Sequence, residues 1–148
     1  MFPMKLYFAY GSNMDTTQMN RRCPENRIIG KAILPGYRWI ITRRGYASVI
    51  PSQEDAVEGV LFEISETDEA HLDRYEGVGS GCYVKKMVRI LHNGEIVHAM
   101  IYIDPVDEEG HPIEEYIRRI NDAVHDAGLS EAYVKRYIRR FIPEQGGR

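Results

Sequence analysis

Asn93-Gly94 stands between two β-rich runs, Tyr83 to Leu91 and Ile96 to Ile103. Both residues accept the positive φ that a two-residue hairpin demands, so this dipeptide forces an antiparallel strand pair late in the chain. Other segments read in the same way. Leu6 to Tyr10 is a short apolar and aromatic run, and Val57 to Ile64 alternates Val60, Phe62 and Ile64 against Leu61 and Glu63. Ile28 to Leu34 and Tyr37 to Thr42 read as two strands split by the turn signal Pro35-Gly36, and Ala47 to Ile50 as a brief strand stopped by Pro51. Helices interrupt the strands. Asp15, three residues before Gln18, opens a short one through about Arg22 with a capping-box-like start. Ser65 to Asp68 opens another, which runs to about Tyr75 and stops at Gly77. Ile113, Tyr116, Ile117, Ile120 and Val124 share one face of a third, ended by Gly128, and Ser130 caps a fourth. Six or seven mostly antiparallel strands with four helices make an α+β chain, and the excess of strand in the first two thirds predicts a strongly curved sheet or small barrel with helices outside.

At 148 residues the chain has the length of a single domain spanning 1–148, large enough to bury a core without staples. The net charge of −3 gives no reason to expect nucleic acid or an anionic membrane as partner. Residues 1–5 lack the charged and apolar regions of a signal peptide, no stretch has transmembrane length, and the cytoplasm is the expected compartment. Cys23 and Cys82 are far apart, and the five histidines, at 71, 92, 98, 111 and 125, show no paired metal spacing, so neither metal nor organic cofactor is expected. Asp68 and His71, at i and i+3, read as a surface pair. The basic stripe Lys135, Arg136, Arg139 and Arg140 reads as a solvated face, and Asp107 to Glu109 as an exposed acidic turn.

Two motifs carry chemistry. In Tyr10-Gly11-Ser12-Asn13-Met14 a strand runs into a turn and then a helix. Small polar residues there let successive N–H groups converge into a nest for carboxylate or phosphate, although the same residues also suit an ordinary turn. In the second motif Glu76 ends a helix before Gly77, Gly79 and Gly81. The helix dipole disfavours a carboxylate at that end, and burial against Tyr75 and Tyr83 would raise its pKa towards what general acid–base work needs. The alternative is a solvated helix-end glutamate before a flexible loop. A nucleophilic role for the Cys82 thiol lacks a partner histidine placed by sequence.

Together the motifs resemble the γ-glutamylcyclotransferase-like family. Its hallmark Tyr-Gly-Ser-Asn plus an apolar residue is matched by residues 10–14, and its glutamate before Gly-Val, in a Gly-rich loop ending in tyrosine, by Glu76-Gly77-Val78 with Tyr83. The stretches Gly45 to Pro51 and Glu58 to Phe62 fit as well, and the resemblance is loosest over the last two helices. It implies a small mixed β-barrel ringed by helices and a γ-glutamyl substrate, whose head group Tyr10, Gly11, Ser12, Asn13 and Met14 would hold. Glu76 would transfer protons, and Tyr83 and Tyr116 would line the cavity. The implied reaction is cyclisation to 5-oxoproline with release of an amino acid or amine. Asn13 stands where the glutathione-specific branch usually carries Leu, which favours the branch for γ-glutamyl amino acids or amines. Tyr46 departs from the family's second adjacent glycine. A non-catalytic binding module, an enzyme that removes a γ-glutamyl protecting group from a biosynthetic intermediate, and a homodimer all stay open.

Overall fold

The computed structural model describes residues 4–144, so the expectation drawn from residues 1–5 lies outside the described residues for the first three. Five strands, β1 (Lys5–Ala9), β2 (Arg27–Ile41), β3 (Ala47–Ile64), β4 (Val84–His92) and β5 (Glu95–Ile103), close into a barrel in the order β1-β3-β2-β4-β5. All neighbours are antiparallel except β1 and β5, whose parallel pairing at Tyr7 and Met100 closes the ring. The helices are α1 (Thr16–Arg22), α2 (Glu66–Tyr75), α3 (Glu114–Ala127) and α4 (Glu131–Tyr133), the last running on as a π-helical stretch, Val134–Ile138. The α+β barrel anticipated from the sequence is therefore the fold. Among the described residues no helix is long and apolar enough to cross a membrane.

Five strands replace the expected six or seven because β2 and β3 are each continuous. Gly36, at φ +83°, sits inside a register shift between Pro35 and Tyr37, so the chain bulges and keeps its pairing where a turn was expected. The hairpin turns instead at residues 42–46, where the Thr42 amide donates to the Tyr46 carbonyl at 3.0 Å. Pro51 does not stop β3. It lies opposite Tyr37 beside the bulge, on a stretch of β3 that β1, paired only with Val60–Ile64, does not reach. A missing N–H is tolerated at such an edge.

Local signals were otherwise realised as written. Asn93 and Gly94 have φ +50° and +80°, and Ser65 and Asp68 form a reciprocal capping box on α2. Asp15 caps α1 through the Thr17 amide, but Gln18 leaves that cap and reaches Ser12 and Asn13 instead. Asp68 is fully buried and is no surface partner of His71, whose Nδ1 meets the Arg22 carbonyl. In the basic stripe Lys135, Arg136 and Arg140 are exposed, as expected of a solvated face, while Arg139 donates to Asn121 and Arg140 to Glu109, which holds Arg38 as well.

Alternation in the strands buries both sides of the sheet. Phe8, Tyr10, Leu61, Ala99 and Ile101 pack on one side with Tyr116 and Ile120 of α3. Tyr7, Ala9, Val60, Phe62, Met100 and Tyr102 pack on the other with Met19 and Leu72 of the first two helices. The closest approach lies where β1 crosses β3. A Cβ on Gly59 would stand 2.3 Å from the Ala9 carbonyl oxygen and 2.6 Å from Phe8 Cζ. Gly59→Ala is expected to cost at least about 1–3 kcal/mol by overpacking against backbone, read as a lower denaturation midpoint.

Candidate active site

The ends of β1, β2 and β5 and the starts of β3 and β4 meet at one end of the barrel. A cavity of about 470 Å³ opens there, lined among others by Tyr10, Gly11, Ser12, Asn13, Glu76, Tyr83 and Tyr116. The structure thus brings together every site residue expected from the sequence except Met14. That side chain is 1 % exposed and packs in the core with Met19 and Phe62, because the turn carries it away from the cavity.

After β1 the chain enters a single 3-10 turn, Ser12–Met14, whose own bonds begin with the Met14 amide on the Gly11 carbonyl at 3.1 Å. The Ser12 and Asn13 amides precede it and are free of bonds within the turn. Gly11 is required by space: a Cβ there would lie 3.1 Å from Tyr116 Oη and 3.4 Å from Ala47 Cβ. Tyr116 in turn accepts from the Ala47 amide at 3.4 Å, and Tyr83 donates to the Ala47 carbonyl at 3.0 Å. The start of β3 therefore ties two cavity tyrosines from distant parts of the chain.

The Asn13 side chain is a structural hub. Its Oδ1 accepts from Gln18 at 2.9 Å and Arg22 at 2.8 Å, and its Nδ2 donates to Tyr7 Oη at 2.9 Å. Ser12 Oγ accepts from Gln18 at 2.8 Å. These bonds fix the turn from α1 and leave the Asn13 side chain little capacity for a ligand.

Glu76 is the C-cap of α2, with its amide on the Leu72 carbonyl at 2.8 Å. Gly77 follows at φ +63°, and a Cβ there would lie 2.9 Å from Cys82 Cβ, so only glycine both ends the helix and admits the returning loop. Burial of the Glu76 carboxyl pushes its pKa up to about 7, against the pull of the Arg22 and Arg119 charges. Burial pushes Tyr116 up to about 12, and Tyr7, Tyr10, Tyr83 and Tyr102 well above their ordinary value, so these hydroxyls are neutral hydrogen-bonding groups.

Sequence reasoning missed the cavity's arginines, Arg22, Arg44 and Arg119, and its wall residues Tyr7 and Tyr102. Arg44 is held by the buried Asp104 at 3.0 Å and by the Cys82 carbonyl at 2.6 Å, and Arg119 pairs with Glu115 at 3.1 Å. Nothing local marks these arginines: each lies on a helix or turn where an exposed cation is ordinary. The alternation of β1 and β5 could have flagged Tyr7 and Tyr102 as buried, but not as cavity lining.

A desolvated carboxyl that titrates near neutrality, set among cationic and hydroxyl-bearing side chains at one end of a closed barrel, is equipped for proton transfer on an anionic small molecule. Residues 7–119 match the family model described as gamma-glutamyl cyclotransferase, AIG2-like, and the chain belongs to that family. It is 28% identical over 142 residues to a mouse protein named gamma-glutamylcyclotransferase, covering 86% of this chain and 74% of that one. A human protein of the same name is 28% identical over 139 residues, with the same coverage. A solved structure named gamma-glutamyl cyclotransferase superposes with a TM-score of 0.85 at 25% identity, covering 99% of this chain and 93% of the other.

The raised pKa of Glu76 fixes a sign for stability. Below pH about 4.5 the carboxyl is protonated in both folded and unfolded chains and costs nothing. As pH rises towards 7 the unfolded chain ionises first, so the folded state loses relative stability, up to about 3 kcal/mol, and the cost is constant above. Glu76→Gln is therefore expected to stabilise the protein at pH 8 and to change little at pH 4, as measured by urea denaturation at both values.

Proposed function

We propose that the protein cyclises the γ-glutamyl group of a small substrate to 5-oxoproline and releases the attached amine-bearing group, with Glu76 as general base and then general acid. The observation that carries this reading is the Glu76 carboxyl, turned into the cavity and shifted by burial to about 7, so that both protonation states are populated at neutral pH. Its place in the cavity wall favours the enzyme over a binding module on the same fold.

The α-amine of the γ-glutamyl group is the nucleophile and the γ-carbonyl carbon its target. Both belong to one molecule, so the protein mainly has to hold a folded conformer. Tethered attack of this kind reaches effective molarities of about 10⁵ M or more. The Ser12 and Asn13 amides, which make no backbone bond within the turn, receive the α-carboxylate or polarise the γ-carbonyl oxygen, and the neutral tyrosines of the wall hold the remaining oxygens. The substrate arrives as an ammonium. Glu76 as carboxylate takes one proton and the amine attacks the carbonyl. Protonated Glu76 gives that proton to the leaving nitrogen, and the C–N bond breaks. Over the whole reaction the α-ammonium loses two protons on becoming the lactam N–H, and the released amine gains two on leaving as an ammonium.

The test is 5-oxoproline release, followed by mass spectrometry, from a panel of γ-glutamyl amino acids, γ-glutamyl amines and glutathione. Wild type is expected to release it and Glu76→Gln to fall by about 10²-fold or more, as for loss of a general acid–base group. Release by both proteins at similar rates would remove Glu76 from the role. The pH dependence of kcat/KM should show an acidic limb near pH 7, rising as Glu76 ionises, which a shift of that limb to about 4.5 would contradict.

A further inference from the structure

The rim of the cavity differs from its floor. Tyr10, Ser12, Asn13 and Tyr116 are 7 %, 8 %, 4 % and 5 % exposed, whereas Tyr75, the residue before Glu76, is 61 % exposed. Under the Tyr75 ring, 4.3 Å from its centroid, lies the Arg22 guanidinium. Arg22 extends from the last turn of α1, and its Nη1 is fixed on Asn13 Oδ1 at 2.8 Å. It is the one cavity arginine with no carboxylate of its own. Arg44 has Asp104 and Arg119 has Glu115, but among the described residues no carboxylate lies within 4.0 Å of Arg22. One nitrogen is committed and the fork is oriented by a stacked ring, so the remaining N–H groups form a preset receptor for an anion.

We propose that Arg22, clamped between Asn13 and Tyr75, selects substrates whose leaving group carries a carboxylate, so that the protein releases an amino acid in preference to a simple amine. The inference rests on the cyclotransferase reading and names the determinant of its leaving-group choice. A γ-glutamyl head group that must fold on itself belongs at the buried floor, beside residues 11–13 and Tyr116. The group that departs then extends towards the rim, where Arg22 and Tyr75 stand. A carboxylate on the carbon bearing the departing nitrogen places its charge on that side of Glu76. The pull of Arg22 on the Glu76 carboxyl agrees with this nearness. Arg–carboxylate pairing is among the stronger charge-assisted contacts and is geometrically selective, and a neutral group in the same position does not satisfy the fork.

The experiment compares γ-glutamyl-alanine with γ-glutamyl-alaninamide, which has nearly the same shape without the carboxylate, in wild type and Arg22→Met. Wild type is expected to prefer the alanine substrate by at least about tenfold in kcat/KM. That preference should shrink to within about threefold in Arg22→Met, with Arg22→Lys between, because an ammonium keeps the charge and loses the fork. A wild-type enzyme with no preference overturns the inference without any variant, and so settles the matter even if Arg22→Met fails to fold. A variant that loses both substrates in equal proportion also overturns it, by assigning Arg22 to the head group or to the support of Asn13. Release of 5-oxoproline from neither substrate nor any other γ-glutamyl compound by folded wild type would instead remove the function on which the inference rests.

Discussion

The site depends on how closely β1 can lie against β3. Gly59 has no side chain, and the Ala9 carbonyl and the Phe8 ring occupy the space that one would take. With β1 in place its other edge meets β5 in the only parallel pairing of the barrel, and the ring closes. Because β1 and β5 run in the same direction, both finish at one end, where the 11–13 turn and Tyr102 emerge together. The hairpin at Thr42–Tyr46 and the loop before β4 return to that end too. A small strand with two unlike neighbours thereby gathers a polar turn, a helix-end carboxylate, several tyrosines and three arginines from a span reaching from Tyr7 to Arg119.

Opposed electrostatic effects set the character of Glu76. Desolvation raises its pKa, and the charges of Arg22 and Arg119 lower it, with burial the larger influence. The balance near 7 leaves the carboxyl able to act in either protonation state, which a pair of closer arginines would prevent by fixing it as an anion. The surrounding tyrosines cannot compete for the proton, since burial keeps them neutral. Positive charge in the cavity is divided. Asp104 and Glu115 each pair with one of the arginines, and the third is held by a neutral amide and a ring. An amide can orient a guanidinium without cancelling its charge, which is why Asn13 matters to the site although three of its own side-chain bonds are already made within the protein.

Much of this was legible before any coordinates. The Asn93-Gly94 hairpin, the Ser65 capping box and the stops at Gly77 and Gly128 are decided by a few neighbouring atoms, and each formed where the sequence put it. The two motifs reached the same cavity because both are short turns attached to the ends of rigid elements. The errors share another cause. Pro35-Gly36 and Pro51 are genuine breakers in isolation, but pairing between β2 and β3 on either side of them outweighs the local preference and converts a turn into a bulge. Gln18 reads as the partner of Asp15 until Ser12 and Asn13, folded back beside it, supply better acceptors. Met14 follows the motif in sequence but turns into the core.

The sequence by itself determined where the chain turns, which helices are capped and which glutamate stands at a helix end, since φ sterics and hydrogen bonds across three or four residues suffice for these. Only the tertiary structure decided that two pairs of expected strands are single strands, that Glu76 is buried enough to titrate near 7, and that among the described residues no carboxylate pairs with Arg22 as Asp104 and Glu115 pair with the other two cavity arginines. Those properties depend on what distant segments exclude from water or bring within a few ångströms, and such proximity follows from closure of the barrel.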